Sequence, residues 1–244
     1  MARSKAIRTA QIHSPDPGAD RDVPVAARAP RSEGRHDANM SAFFQSLEGA
    51  LGQAAGGKVI LFSSARPGEG KTMVVGEFAS LLTHRACHRV AIVDAGPRHE
   101  MAARCGGLQT VPLERAILSL KGVKLAEIPR KPDTTGPNTD CLIATTTSRA
   151  ADSPTALRDP HSWSLLKSAY DYVLIDMPSL AESPLALGCA RYVDGVVLVI
   201  ESGRTRWQIV RNAQEQFERA GASVLGAFLN KRVFHVPRSL YNRL

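Results

Sequence analysis

One eight-residue stretch constrains this chain more than any other. ARPGEGKT, Ala65 to Thr72, directly follows the apolar run KVILFSS and opens a helical stretch that reaches about His84. The run before it has the length and composition of a strand buried on both faces. A strand, a glycine-rich turn and a helix together make a cradle for an anion. Successive N–H groups converge on it, and the positive end of the helix dipole lies behind them. The spacing follows GxxxxGK[ST], with Ala65 at the first glycine and Arg66, Pro67 and Glu69 as the variable residues. Gly68 and Gly70 permit backbone conformations and close approaches that a side chain would block. Lys71 then reaches the β- and γ-phosphates of a nucleotide, and the Thr72 hydroxyl is placed to ligate Mg²⁺. Mg-ATP is therefore the expected ligand.

The rest of the chain supplies a sheet for this loop. RVAIVDA, Asp140–Thr145, YDYVLIDMP (170–178), GVVLVIES (195–202) and SVLGAFLN (223–230) read as strands, and VKLAEIP as a further candidate. Helices are expected over Lys71–His84, Leu113–Leu120, Pro160–Ser168 and Thr205–Ala220, and TTTSRAADSP as a loop. Alternation of this kind implies an α/β fold, a P-loop nucleotide-binding domain whose mainly parallel sheet carries helices on both faces. In such sheets ligands bind outside the carboxyl ends of the strands. Asp176 ends YVLID and Asp94 ends AIVD, so both carboxylates are expected beside the loop as candidate metal ligands. Taken alone, either aspartate reads first as a strand-end cap or turn residue; beside the P-loop the metal-ligand reading takes precedence.

Residues 1–38 are rich in Arg, Pro, Asp, Ala and Gly and poor in large apolar side chains, the composition of a disordered basic arm. Met40, Phe43, Phe44, Leu47 and Leu51 then recur at helical spacing from Asn39 to about Gln53, an amphipathic helix for the domain or for a partner. The nucleotide-binding domain is expected over 39–235, with a short tail over 236–244. No run approaches the roughly 18 apolar residues of a membrane span, and no secretory signal is visible, which points to the cytoplasm. The 4 cysteines are widely spaced, the pattern of reduced buried thiols. A net charge of +8 raises the question of nucleic acid. Scattered arginines and an aromatic fraction of only 5% argue against it, while leaving a basic face for anionic lipid or an acidic partner.

With these residues in view, the chain resembles the bacterial tyrosine kinases and their capsular and exopolysaccharide relatives, within the superfamily of partitioning and division-site ATPases. SSARPGEGKT looks like the family's SSxPGEGK[ST] loop, and YDYVLIDMPS like YDYVIIDTPP. DGVVLVIESGRTR resembles DGVLLVVRxGxTR, and VAIVDAGPR stands where a strand followed by DxDxR is usual. AFFQSLEGAL occupies the place of an oligomerisation helix, and ERAGASVLGAFLN resembles the last helix and strand, which end at a base-contacting Asn. The resemblance implies that Lys71 and Thr72 hold phosphates and Mg²⁺, that Asp94 activates the attacking hydroxyl or assists the metal, and that Asp176 holds Mg²⁺. It implies that Asn230 approaches the adenine and that Arg98 serves the DxDxR segment.

The chain also departs from the family. Gly96 and Pro97 replace the second acidic residue of DxDxR and its neighbour. Gln45 and Glu48 stand where the oligomerisation helix carries arginines, and Glu77 replaces an Asn. Instead of a terminal tyrosine cluster there is Tyr241 alone, and Arg66 lies near the position of a lysine that reaches across a dimer in partitioning ATPases. Three functions follow from the resemblance. The first is an ATP-dependent protein-tyrosine kinase controlling capsular or exopolysaccharide synthesis or export, with a membrane polysaccharide co-polymerase or exporter component as partner and a homo-oligomer as an option. The second is a nucleotide-switched ATPase without kinase activity, and the third is a degenerate ATP-binding scaffold.

Overall fold

The computed structural model describes residues 33–52, 56–84, 86, 88–96, 99–101, 110–121, 141–146 and 155–231. The expected basic arm before Glu33, the candidate strand at 123–129, the loop at 147–154, Arg98, Tyr241 and the tail lie outside them.

Seven strands form one sheet: β1 (Lys58–Ser63), β2 (Val90–Asp94), β3 (Thr110–Pro112), β4 (Cys141–Thr145), β5 (Tyr172–Asp176), β6 (Gly195–Glu201) and β7 (Val224–Asn230). Their order is β3-β4-β2-β5-β1-β6-β7, and every pairing is parallel. The helices are α1 (Glu33–Leu51), α2 (Lys71–His84), α3 (Leu113–Leu120), α4 (Pro160–Ala169), α5 (Leu185–Cys189) and α6 (Trp207–Arg219).

The apolar runs are continuous because both faces of the sheet are covered. Along β1, Val59 and Leu61 enter one core with Trp163 and Leu166 of α4 and Val210, Ala213 and Phe217 of α6. Ile60 and Phe62 enter the other, with Val74, Val75, Phe78 and Leu82 of α2. Helix α1 joins this second core. It begins at Glu33 rather than Asn39 and buries Met40, Phe43 and Leu47. The Phe43 ring meets Phe78 edge-on at 5.6 Å and Phe228 at 5.0 Å. Of the two roles open to this helix, packing on its own domain is the one seen. Glu48, which departs from the family's arginine pattern, accepts a hydrogen bond from the Tyr172 hydroxyl at 2.9 Å. That residue therefore serves a contact within the chain, whereas Gln45 is exposed.

The short edge strand β3 and helix α5 were not expected. Three residues of β3 are too few for a period to show, and α5 is a single turn.

Candidate functional site

The register of the sheet assembles the site. Asp94 of β2 and Asp176 of β5 are direct neighbours, and Asp176 lies beside Phe62 of β1. Two carboxylates thus end adjacent strands at the rim from which the glycine-rich loop departs. Segments leaving the strands lock together there. Met177 N–H donates to Phe62 O, Leu180 N–H to Ser64 O, and the Ser63 hydroxyl to Pro178 O at 3.0 Å.

The loop uses its glycines as expected. Gly68 has φ +80° and Gly70 φ +88°, in the region that L side chains rarely adopt. Ala65, at the position of the first glycine, is outside that region. An alanine serves there because no left-handed turn is needed, and its side chain packs against the core. At Gly70 a methyl group would also meet the Asn230 Nδ2 at 2.2 Å.

The Lys71 side chain is buried and borders a cavity of about 310 Å³ that Pro67, Gly68, Gly70, Thr72, Asp94 and Asp176 also line. Thr72 and Asp176 share this cavity wall. Burial pushes the Asp176 carboxyl up to about 7, against the opposing effect of the Thr72 hydroxyl; Asp94 raises it further, Lys71 lowers it and Glu100 raises it. Its Oδ1 is buried without a hydrogen-bond partner. A desolvated carboxylate with an unused oxygen, lining one cavity with the loop hydroxyl residue, fits a hard divalent cation. Among the described residues no three His, Cys, Asp or Glu side chains cluster to hold a metal. A P-loop site needs fewer, since phosphate oxygens and water complete the shell. Asp94 is held more firmly: Oδ1 accepts from Gly96 N–H and Oδ2 from Met101 N–H, both at 3.1 Å. These bonds fix the orientation of its carboxylate.

Two residues expected at the ligand face elsewhere. Glu69 is buried and points its carboxylate away from the cavity; it accepts from Arg66 N–H at 2.9 Å, Glu201 N–H at 3.2 Å and the Thr205 hydroxyl. Asn230 is fully buried, donating to Glu69 O at 2.9 Å and accepting from Lys231 N–H. Both amide ends are thus committed to the chain. The loop crosses the ends of β6 and β7, and these side chains fill the space behind it. Arg66 is exposed. Sequence reading missed Glu182, His99, Glu100 and Lys231, all of which line the cavity. For Lys231 the signal was its place directly after the strand-end Asn.

No protein-family model matches the chain. Tyrosine-protein kinase CpsD of Streptococcus agalactiae is 28% identical over 180 residues, covering 71% of this chain and 75% of CpsD. The succinoglycan biosynthesis transport protein ExoP of Rhizobium meliloti is 29% identical over 188 residues, 71% of this chain but 22% of ExoP. In fold, the kinase domain of Escherichia coli tyrosine kinase ETK superposes with a TM-score of 0.62 at 19% identity, covering 83% of this chain and 79% of that one. The septum site-determining protein MinD of Pyrococcus horikoshii, solved with Mg-ADP, gives 0.53 at 18% identity and 76% of each chain. The chain is a homologue of the bacterial tyrosine-protein kinases, built on the P-loop NTPase fold that their kinase domains share with MinD.

Proposed function

We propose that the chain binds ATP in the loop cavity and transfers its γ-phosphoryl group to a protein tyrosine, in the control of capsular or exopolysaccharide synthesis or export. One observation carries the proposal. Two left-handed glycines, a buried lysine, a hydroxyl and two strand-end carboxylates converge on one cavity. The names of CpsD and ExoP supply the acceptor chemistry and the process.

Phosphoryl transfer asks mainly for positioning and charge neutralisation. The loop N–H groups and the Lys71 ammonium hold the phosphate oxygens. Thr72 and Asp176 would hold Mg²⁺, with Asp94 beside them, and the ion when bound neutralises charge on those oxygens. Asp94, oriented by Gly96 and Met101 N–H, accepts the proton of the attacking phenol. The bond from γ-phosphorus to the phenol oxygen forms as its bond to the bridging oxygen breaks, and ADP leaves. Among the described residues no helix is long and apolar enough to cross a membrane. The reading includes a cytoplasmic location and, on the names of the relatives, a membrane co-polymerase or exporter component as partner, with self-association as a further option.

Gly96 favours a second reading, a nucleotide-switched ATPase. It brings no second carboxylate, and the exposed Arg66 is free to meet a facing subunit. The two readings separate in one assay. Full chain is incubated with γ-labelled ATP and Mg²⁺, with and without the cytoplasmic part of a candidate co-polymerase, and Lys71→Met is the control. Label on tyrosine, lost in the control, supports the kinase. Released phosphate without labelled protein would sink it in favour of the switch.

A further inference from the structure

The resemblance assigns nucleotide contact beyond the phosphates to Asn230, but that side chain is fully buried and does not line the cavity. The next residue does. Lys231 lies in left-handed backbone, φ +55°, an uncommon conformation for a residue with a side chain. The Asn230 Oδ1 stabilises it by accepting the Lys231 N–H at 2.9 Å. This turn sends the lysine back over the loop. Its Nζ donates to Gly68 O at 2.5 Å and lies 3.3 Å from Glu201 Oε2, and its Cε passes 3.8 Å from the Cβ position of Gly70. The side chain stays 42% exposed and forms part of the cavity wall beside Gly68 and Pro67. A local strain maintained by its surroundings at a cavity wall is a mark of a functional position.

We propose that Lys231 is a nucleotide-binding residue, a second cation of the site that fixes the Gly68 turn and faces the bound nucleoside di- or triphosphate. Asn230 is then the positioning residue that sets the backbone of Lys231 and ties it to Glu69. The geometry divides the loop between two lysines. Lys71 serves the half that runs into α2, and Lys231 the half formed by Pro67 and Gly68. Glu201 holds the Lys231 ammonium in place from the far side, as it also holds Arg204 at 3.2 Å. An anionic ligand in the cavity adds a third partner, beside Gly68 O and Glu201, to a cation that is already oriented, so little side-chain entropy is lost on binding.

The inference rests on the nucleotide-binding reading, and its test separates the two. Binding of ADP to the full chain is measured by calorimetric titration for the parent, Lys231→Met and Lys231→Arg, with the unfolding temperature of each free protein as reference. Loss of a charge-assisted contact should weaken ADP binding about tenfold to a hundredfold in Lys231→Met, which keeps the stem. Lys231→Arg should regain most of it, and the unfolding temperature of free Lys231→Met should fall by only the few degrees that one part-exposed hydrogen bond and ion pair are worth. ADP binding by Lys231→Met within twofold of the parent would overturn the role of Lys231 alone. A parent that binds no ADP would overturn both the role and the reading beneath it. The unaltered protein gives an independent check through acetylation of its lysines read by mass spectrometry. Lys231 should be modified in the free protein and protected by ADP, and equal modification in both states counts against the proposal.

Discussion

Gly70→Ala is the sharpest perturbation of the loop, because two separate costs fall on one methyl group. The first is backbone strain. An L side chain at φ +88° costs about 1–2 kcal/mol. The second is steric, since the new Cβ would stand 2.2 Å from the Asn230 Nδ2, which must leave Glu69 O. A buried hydrogen bond broken in this way costs about 1–3 kcal/mol, because both groups remain without water. Together these give about 2–5 kcal/mol, a fall of about 5–20 °C in unfolding temperature for a domain of this size. Gly68→Ala is the internal control. Its φ is +80°, but no atom lies within 4 Å of a Cβ there, so only the strain of about 1–2 kcal/mol applies. Scanning calorimetry should place the three proteins in the order parent, Gly68→Ala, Gly70→Ala. Adding Asn230→Ala to Gly70→Ala removes the clash, so the double variant should lose less than the sum of the single losses. Equal melting of the two alanine variants, or strict additivity with Asn230→Ala, would falsify the assignment of Asn230 as the contact that requires a glycine.

Three further outcomes are expected. Glu69→Gln keeps the shape but turns an amide NH₂ toward donors that now face a carboxylate. A loss of about 2–4 kcal/mol should appear in denaturant unfolding, and a change below about 0.5 kcal/mol would mean that the buried carboxylate does not hold the loop to Glu201 and Thr205. Phe43→Ala empties the contact between α1, Phe78 and Phe228 and should cost about 3–4 kcal/mol in a single transition; an early separate loss of helix would show α1 to be a detachable element. Asp94→Asn preserves shape and removes charge, so turnover should fall about a hundredfold or more while ADP affinity stays within about threefold, and unchanged turnover would remove Asp94 from the reaction.

Much of this arrangement is legible in the sequence, for physical reasons that differ by residue. The strands were visible because a parallel sheet covered on both faces needs unbroken apolar runs. The two aspartates were visible only in company: a carboxylate that ends such a run is by itself an ordinary cap, and the P-loop at the same rim made it a candidate ligand. The direction of the Glu69 side chain was hidden. A glutamate inside a glycine-rich loop is counted with the ligand-binding residues by its position, and only the approach of β6 to the back of the loop shows the donors that bury it. Asn230 misled in a similar way, since a strand-end amide serves a ligand or a backbone with the same chemistry. The edge strand β3 carried too little periodicity to be seen.

The same crossing of β6 and β7 behind the loop explains why position 65 tolerates alanine while positions 68 and 70 require glycine. The loop has two requirements. Its inner face must present N–H groups, which demands left-handed backbone at Gly68 and Gly70. Its carbonyl groups also need donors, and these come from Asn230 at Glu69 O, behind the loop, and from Lys231 at Gly68 O, on the cavity wall. Ala65 serves neither and packs into the core. Carbonyls that are already satisfied let the inner face stay open for an anion without unpaired polar groups around it. A loop built this way needs no ligand to hold its shape. The cost of ordering it is met during folding, by the strands that frame it, rather than at each round of nucleotide exchange.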